Sequence, residues 1–242
     1  MTSTRRDFAL GALASFALFK SLPAEALRRV SGHWLGELDA LSREVQKQKL
    51  PQLEWQAKVE DLFSKVPLDD FLRYIDFESL EKKGMEFNGK GAKSLRIDFP
   101  KAEGVPSSLV FGRQLFALKK GRSVVPHGHN NMATAFLILK GKLRGRHYER
   151  HADEPKHLII SPTMDKEFGP GGAATISELK DNIHWFEALS DSAFIFNIHV
   201  VGVTPGKRGA GRVYVDPNGE KIEGGKLRAR IIEEDEADKL YG

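Results

Sequence analysis

The chain has 242 residues, 40% of them hydrophobic and 29% charged, with a formal net charge of +4. That is the profile of an ordinary globular protein, long enough for one generous domain with an appended lobe. Basic and acidic residues are interspersed along the whole length, which argues against a nucleic-acid face. Cysteine is absent, so disulfides, zinc–thiolate sites and thiol nucleophiles are excluded, and any metal must be held by His, Asp or Glu.

In chain order, residues 1–26 read as an export leader. Arg5 and Arg6 precede Asp7-Phe8 and a short apolar run to Phe19, and Ala24 and Ala26 supply an A-x-A cleavage pattern. The arginine pair resembles a twin-arginine signal, whose route carries folded, cofactor-loaded proteins. The run falls short of the roughly 20 residues that span a membrane. The expectation is a periplasmic or secreted protein with no stable membrane anchor after cleavage.

Residues 27–87 form an expected helical region. Trp34, Leu35, Leu38, Leu41 and Val45 recur at three and four residues, and Pro51 and Pro67 open two further amphipathic stretches. We expect this lobe to serve packing alone. From residue 88 to 210, glycines and prolines punctuate apolar runs at 108–118, 133–139, 157–160, 174–179 and 193–203. That pattern predicts an all-β sandwich or barrel. Residues 211–242 read as a hairpin, with Asp216-Pro217-Asn218-Gly219 as its turn, followed by an acidic, solvated tail.

Gly121-Arg-Ser-Val-Val-Pro-His127-Gly-His129 ends in His-x-His. On a strand, residues i and i+2 share a face, so both imidazoles can reach one ion. Imidazole suits zinc, iron, copper, nickel or manganese. A third histidine, His184, precedes another apolar strand within Asn182-Ile-His-Trp-Phe-Glu187. His147, His151 and His157 belong to the charged stretch that starts at Arg144, which reads as surface loop and is left out of the site. Arg113 and Gln114 lie on the strand before the motif, where either can meet a substrate carboxylate. Asn130, Asn131 and Met132 are expected at the barrel mouth. Tyr148 and Trp185 are expected to wall the pocket or fill the core.

Residues 121–141 resemble the first motif of the cupin superfamily: a glycine, five residues, His-x-His, a strand and a closing glycine. His184 falls in the window of the second motif. The resemblance implies a mainly β fold, a double-stranded β-helix (jelly-roll) barrel with an N-terminal helical lobe, binding one divalent metal through His127, His129 and His184. Cupins commonly place a glutamate four or five residues after His-x-His, where this chain has Ala133 and Thr134. A three-histidine set without it is similar to the thiol dioxygenases, namely the cysteine, cysteamine and plant cysteine enzymes. That likeness implies Fe(II), molecular oxygen and a small thiol substrate. His199 stands at the spacing of the cysteine dioxygenase relay histidine, which implies a catalytic role. Asn197 and Val201 replace the relay's serine and tyrosine. Substrate contacts are then expected from Arg113, Met132 and Thr134. The alternative is a cupin binding module, or an isomerase for a small sugar or acid without oxygen chemistry. A cupin frame with an empty site is the third possibility.

Overall fold

A computed structural model describes residues 24–101 and 104–242. The expected leader, with Arg5 and Arg6, lies outside the described residues except for its last three positions. Four helices come first: α1 (Ala24–Gln46), α2 (Gln52–Ser64), α3 (Leu68–Tyr74) and α4 (Phe77–Met85). Pro51 and Pro67 sit at the N-caps of α2 and α3, where a missing N–H breaks no helical bond. Among these described residues, no helix is long and apolar enough to cross a membrane.

The strands follow as β1 (Lys93–Arg96), β2 (Gly112–Lys119), β3 (Ser123–Asn130), β4 (Met132–Lys140), β5 (Leu143–Asp153), β6 (His157–Phe168), β7 (Ala173–Ile176), β8 (Ile183–Ala188), β9 (Ser192–Val201), β10 (Gly211–Ile222) and β11 (Lys226–Ile232), with a last helix α5 (Glu234–Tyr241). One sheet has the order β1-β2-β9-β4-β7. The other layer, β10-β11-β6-β5-β8-β3, closes on itself as a small barrel. Without β1 and the β10–β11 hairpin, the two orders are β2-β9-β4-β7 and β3-β8-β5-β6. These are the two faces of an eight-stranded jelly roll. The fold is therefore the expected one: a mainly β barrel of the cupin kind with an N-terminal helical lobe.

The five-stranded sheet is buried on both faces. Leu115, Ala117, Ala133, Ala135, Leu137, Phe194, Phe196 and Ile198 pack against Trp34, Leu38, Trp55, Phe63 and Phe71 of the helices. The opposite face, with Phe116, Leu118, Phe136, Ile138 and Ile195, meets Val124, Leu143, Phe168 and Phe186 across the barrel interior. Two-sided burial explains why β4 and β9 read as continuous apolar runs.

Three sequence expectations need correction. Asp216-Pro217-Asn218-Gly219 is not the hairpin turn. It lies inside β10 at a register shift, where a proline without an N–H is tolerated. The chain reverses at Glu223–Gly225, where Gly224 and Gly225 take φ of 73° and 71°, a region that favours glycine. The charged stretch from Arg144 is the strand β5, not a loop. Its inward positions are Leu143, Gly145 and His147, so the alternation lacks the usual row of apolar residues. The acidic tail is the helix α5, anchored by buried Ala237 beside Val125 and Ile232. Tyr241 donates to Asp216 Oδ1 at 2.5 Å and meets Trp185 at 5.1 Å between ring centroids.

Candidate metal centre

Each strand lining the barrel interior changes character at the same level. Ile138 and Phe136 give way to Thr134 on β4, Ile195 to Asn197 and His199 on β9, and Phe116 to Gln114 on β2. On the other layer, Phe186 is followed by His184 on β8, Gly145 by His147 on β5, and Val124 by His127 and His129 on β3. One end of the lumen is thus an apolar plug and the other a polar chamber.

A bulge aims the His-x-His pair. Val124 lies opposite Phe186 and His127 opposite His184, so Val124 and His127 share a face although three residues apart. An extra residue at Val125-Pro126 accounts for this, as bulges do where a strand must redirect its side chains. Gly128 between the histidines is required by space, because a Cβ there would meet Ile183 Cδ1 at 2.4 Å and Asn182 Oδ1 at 2.5 Å.

The structure brings His127, His129 and His184 together. One nitrogen from each lies within 4.8 Å of the others, and no carboxylate joins the group among the described residues. All three are buried. His127 Nδ1 lies 2.8 Å from the Val125 carbonyl and His184 Nδ1 lies 3.4 Å from the Asn182 carbonyl. These contacts place the proton on Nδ1 and leave each Nε2 lone pair free. His129 Nδ1 is buried with no partner. Burial, and then the Arg212 guanidinium, push the His127 pKa down to about 4. Burial and the neighbouring His127 hold His129 and His184 well below the ordinary imidazole range. Three neutral, converging imidazoles with free lone pairs fit a divalent ion.

Asn182 organises the set. Its Nδ2 donates to the carbonyls of His129 at 2.8 Å and Ser177 at 3.0 Å, and its Oδ1 accepts from His129 N–H at 3.3 Å. Outer partners of this kind orient metal ligands. His147, excluded at the sequence level, is buried and stands directly opposite His184 in the β5–β8 ladder. Its ring lies edge-on to His184 at 6.5 Å, and its Nδ1 lies 4.0 Å from Asp181 Oδ2. The inward alternation of β5 was the signal that could have found it.

The remaining expected site residues divide. Thr134 is buried and faces the chamber, paired with His199 across β4 and β9. Ala133 faces the helices, so only one of the two positions that lack the glutamate opens on the lumen. Met132 shares the Thr134 face at the strand's start. His199 is half-buried over Gly112, where a Cβ would meet its Nε2 at 2.1 Å. Burial, then Arg212, lower its pKa. It lies outside the three-histidine group.

Arg113 is a correction. It alternates with Gln114 on β2 and faces away from the barrel interior, donating to the Ile97 carbonyl at 2.7 Å and lying over Phe99, though it borders the cavity of about 350 Å³ that reaches His199. Gln114 takes the inward place. Asn131 is also not at the mouth; it is buried and holds the 204–209 loop through the Thr204 N–H and the Gly209 carbonyl. Tyr148 fills the small barrel with Leu158, Ile160 and Val215, while Trp185 faces outward beneath Arg146.

Arg212 was missed. It lies on β10 opposite His129 and lines a cavity of about 240 Å³ with His127, Gln114 and Tyr214. A second cavity, of about 490 Å³, reaches His129 from the side of Asn130, Arg150 and Lys207.

No family profile and no curated protein matches the chain. Among solved structures it is similar to TT1209 from Thermus thermophilus, at 17% identity and a TM-score of 0.35 over 50% of this chain and 92% of that one. The Schizosaccharomyces pombe Cnp3 cupin domain matches at 12% identity and 0.31, over 46% of this chain and 63% of that one. Pumpkin pro-11S globulin matches at 13% identity and 0.37, over 55% and 30%. The chain spans about a quarter of the length of the matched Brassica napus procruciferin, 23%. These likenesses are faint and assign no activity. The barrel topology and the donor set together describe a cupin-type barrel with a buried three-histidine group able to hold a metal ion.

Proposed function

We propose that the protein is an exported, mononuclear non-haem Fe(II) dioxygenase acting on a small thiol or a related small molecule. The observation that carries this reading is the donor set itself: three neutral, buried imidazoles with no carboxylate among them. A ferrous ion held by His127, His129 and His184 would supply a redox centre of higher net positive charge than a two-histidine–one-carboxylate site, suited to an anionic sulfur substrate.

The chain's own residues set the conditions. His127 and His184 present Nε2 because backbone carbonyls take their Nδ1 protons. Phe136 and Phe186 close the floor of the chamber against water. Thr134 keeps the position facing the triad uncharged, and His199 stands across the ladder from it as a proton-handling group at the cleft.

Oxygen-electrode traces over cysteine, cysteamine and 3-mercaptopropionate with iron-loaded protein test the reading. Uptake with at least one thiol is expected. Thr134→Glu is expected to lower that uptake about tenfold or more, since a new negative charge in a low-dielectric chamber repels a thiolate. Stoichiometric iron without uptake on any thiol would overturn the oxygenase reading. It would favour the second reading, an ion that only positions a small acid or sugar, which the uncharged polar wall of Gln114, Thr134 and Asn197 favours.

A further inference from the structure

Eleven buried side-chain nitrogen or oxygen atoms of the described residues have no hydrogen-bond partner, and five of them belong to residues that the strand register places at the polar end of the barrel interior. His129 Nδ1 and His147 Nε2 lie on the β3–β8–β5 layer. Gln114 Oε1, Thr134 Oγ1 and Asn197 Oδ1 lie on the sheet that faces it. His129, His147, Thr134 and Asn197 are each no more than 3% exposed. Native interiors satisfy their buried polar groups, so orphans converging in one chamber point to something that belongs there.

Water can fill such a space, but two features give the chamber the form of a ligand site. Gln114 lines both the 240 Å³ cavity that reaches His127 and a neighbouring one of about 350 Å³ that reaches His199, so it marks the seam between them. Arg212 stands at that seam. Its charge acts on His127, His129 and His199 alike, and it contacts the Tyr214 hydroxyl; Glu234 and Asp238 line the same cavity, but neither forms an ion pair with it among the described residues.

The orphans also specify chemistry. Two of the three on the facing wall are amide oxygens, which only accept, so a donor on the occupant would satisfy them. A hydroxyl supplies such a donor without adding charge beside Arg212 and a divalent ion. We infer that the chamber is a binding site for a small organic acid that carries a hydroxyl: the hydroxyl is read by Asn197, Thr134 and Gln114, and the acid group is held at the seam by Arg212. This inference rests on the three-histidine metal reading, but not on oxygen chemistry.

The test uses full-length protein loaded with zinc, which has no redox activity. Calorimetric titrations compare 3-hydroxypropionate with propionate. The hydroxy acid should bind about tenfold tighter, the discrimination expected when a buried acceptor gains or lacks its donor. In Thr134→Val and in Asn197→Leu, with zinc content unchanged, the two acids should bind within about twofold of each other. Arg212→Gln should weaken both acids together and leave their ratio intact. One zinc per chain with equal affinity for both acids would overturn the inference and leave the metal reading standing. A preference that survives in both wall variants would place the hydroxyl on the ion instead, and would also overturn it. Wild-type protein that takes up no zinc would overturn the metal reading and this inference together.

Discussion

Burial sets an acid limit on the three imidazoles. In the metal-free protein, His127 stays neutral down to about pH 4, against an ordinary value of 6.5. The unfolded chain protonates its histidines as pH falls through 6.5, while the folded chain does not, so protons favour the unfolded state across that window. Stability is therefore fully present above 6.5 and declines toward 4. His127 alone withdraws about 3 kcal/mol over that range, and His129 and His184, lowered in the same direction, add to it. Urea denaturation of metal-free protein should show a falling midpoint from pH 7 to pH 5, with a shallower fall in His127→Gln; a flat profile in the wild type would contradict the burial argument. At this scale the His-x-His pair was legible because it sits behind a Gly-rich turn and before an apolar strand closed by Gly141, in a stretch that resembles the first cupin motif. His184 was legible through its place in the window of the second cupin motif. His147 was hidden because its strand mates facing inward include glycine, and Arg113 was mistaken for Gln114 because a strand's facing parity cannot be read until its neighbours are known.

The His-bearing strand has support that the jelly roll alone does not supply. Without β10, β3 would be a sheet edge, and Gly211–Tyr214 cover its length from Asn130 to His127. The β10–β11 hairpin in turn is held to β6 and packs Val215 and Ala229, both fully buried, against Tyr148, Leu158 and Ile160. An unpaired charge in that cluster costs about 3–5 kcal/mol. Val215→Asp should therefore lower the unfolding midpoint and weaken metal retention together, although Val215 touches no ligand. Retained metal affinity at a much lowered midpoint would show that β3 keeps its shape without the hairpin. The hairpin's existence was legible from its two apolar runs, but its turn was not. Pro-Asn-Gly is the stronger local turn signal, and the tertiary pairing of β10 with both β3 and β11 overrides it. The tail likewise became a helix because Ala237 and Tyr241 find a surface on β3 and β10 that the chain order does not reveal.

At the scale of the whole molecule, the helical lobe and the jelly roll share one core, with Trp34 and Phe71 reaching Phe196 of β9 at ring-centroid distances of 6.3 and 5.2 Å. Loss of the lobe would expose the sheet behind the chamber, so the lobe is a structural requirement of the site. The proposed route out of the cell is tested separately. Replacing Arg5 and Arg6 with lysine should leave the precursor in the cytoplasm, as fractionation and immunoblotting would show, and unchanged delivery would remove the twin-arginine reading. The most direct test of the central claim is elemental analysis of protein purified without added metal, beside the variant His127→Ala. The wild type should carry close to one metal ion per chain, and the variant should lose most of it, because two imidazoles alone bind too weakly to survive purification. Full occupancy in His127→Ala, or no metal in either protein even after loading, would contradict a metal centre built from His127, His129 and His184.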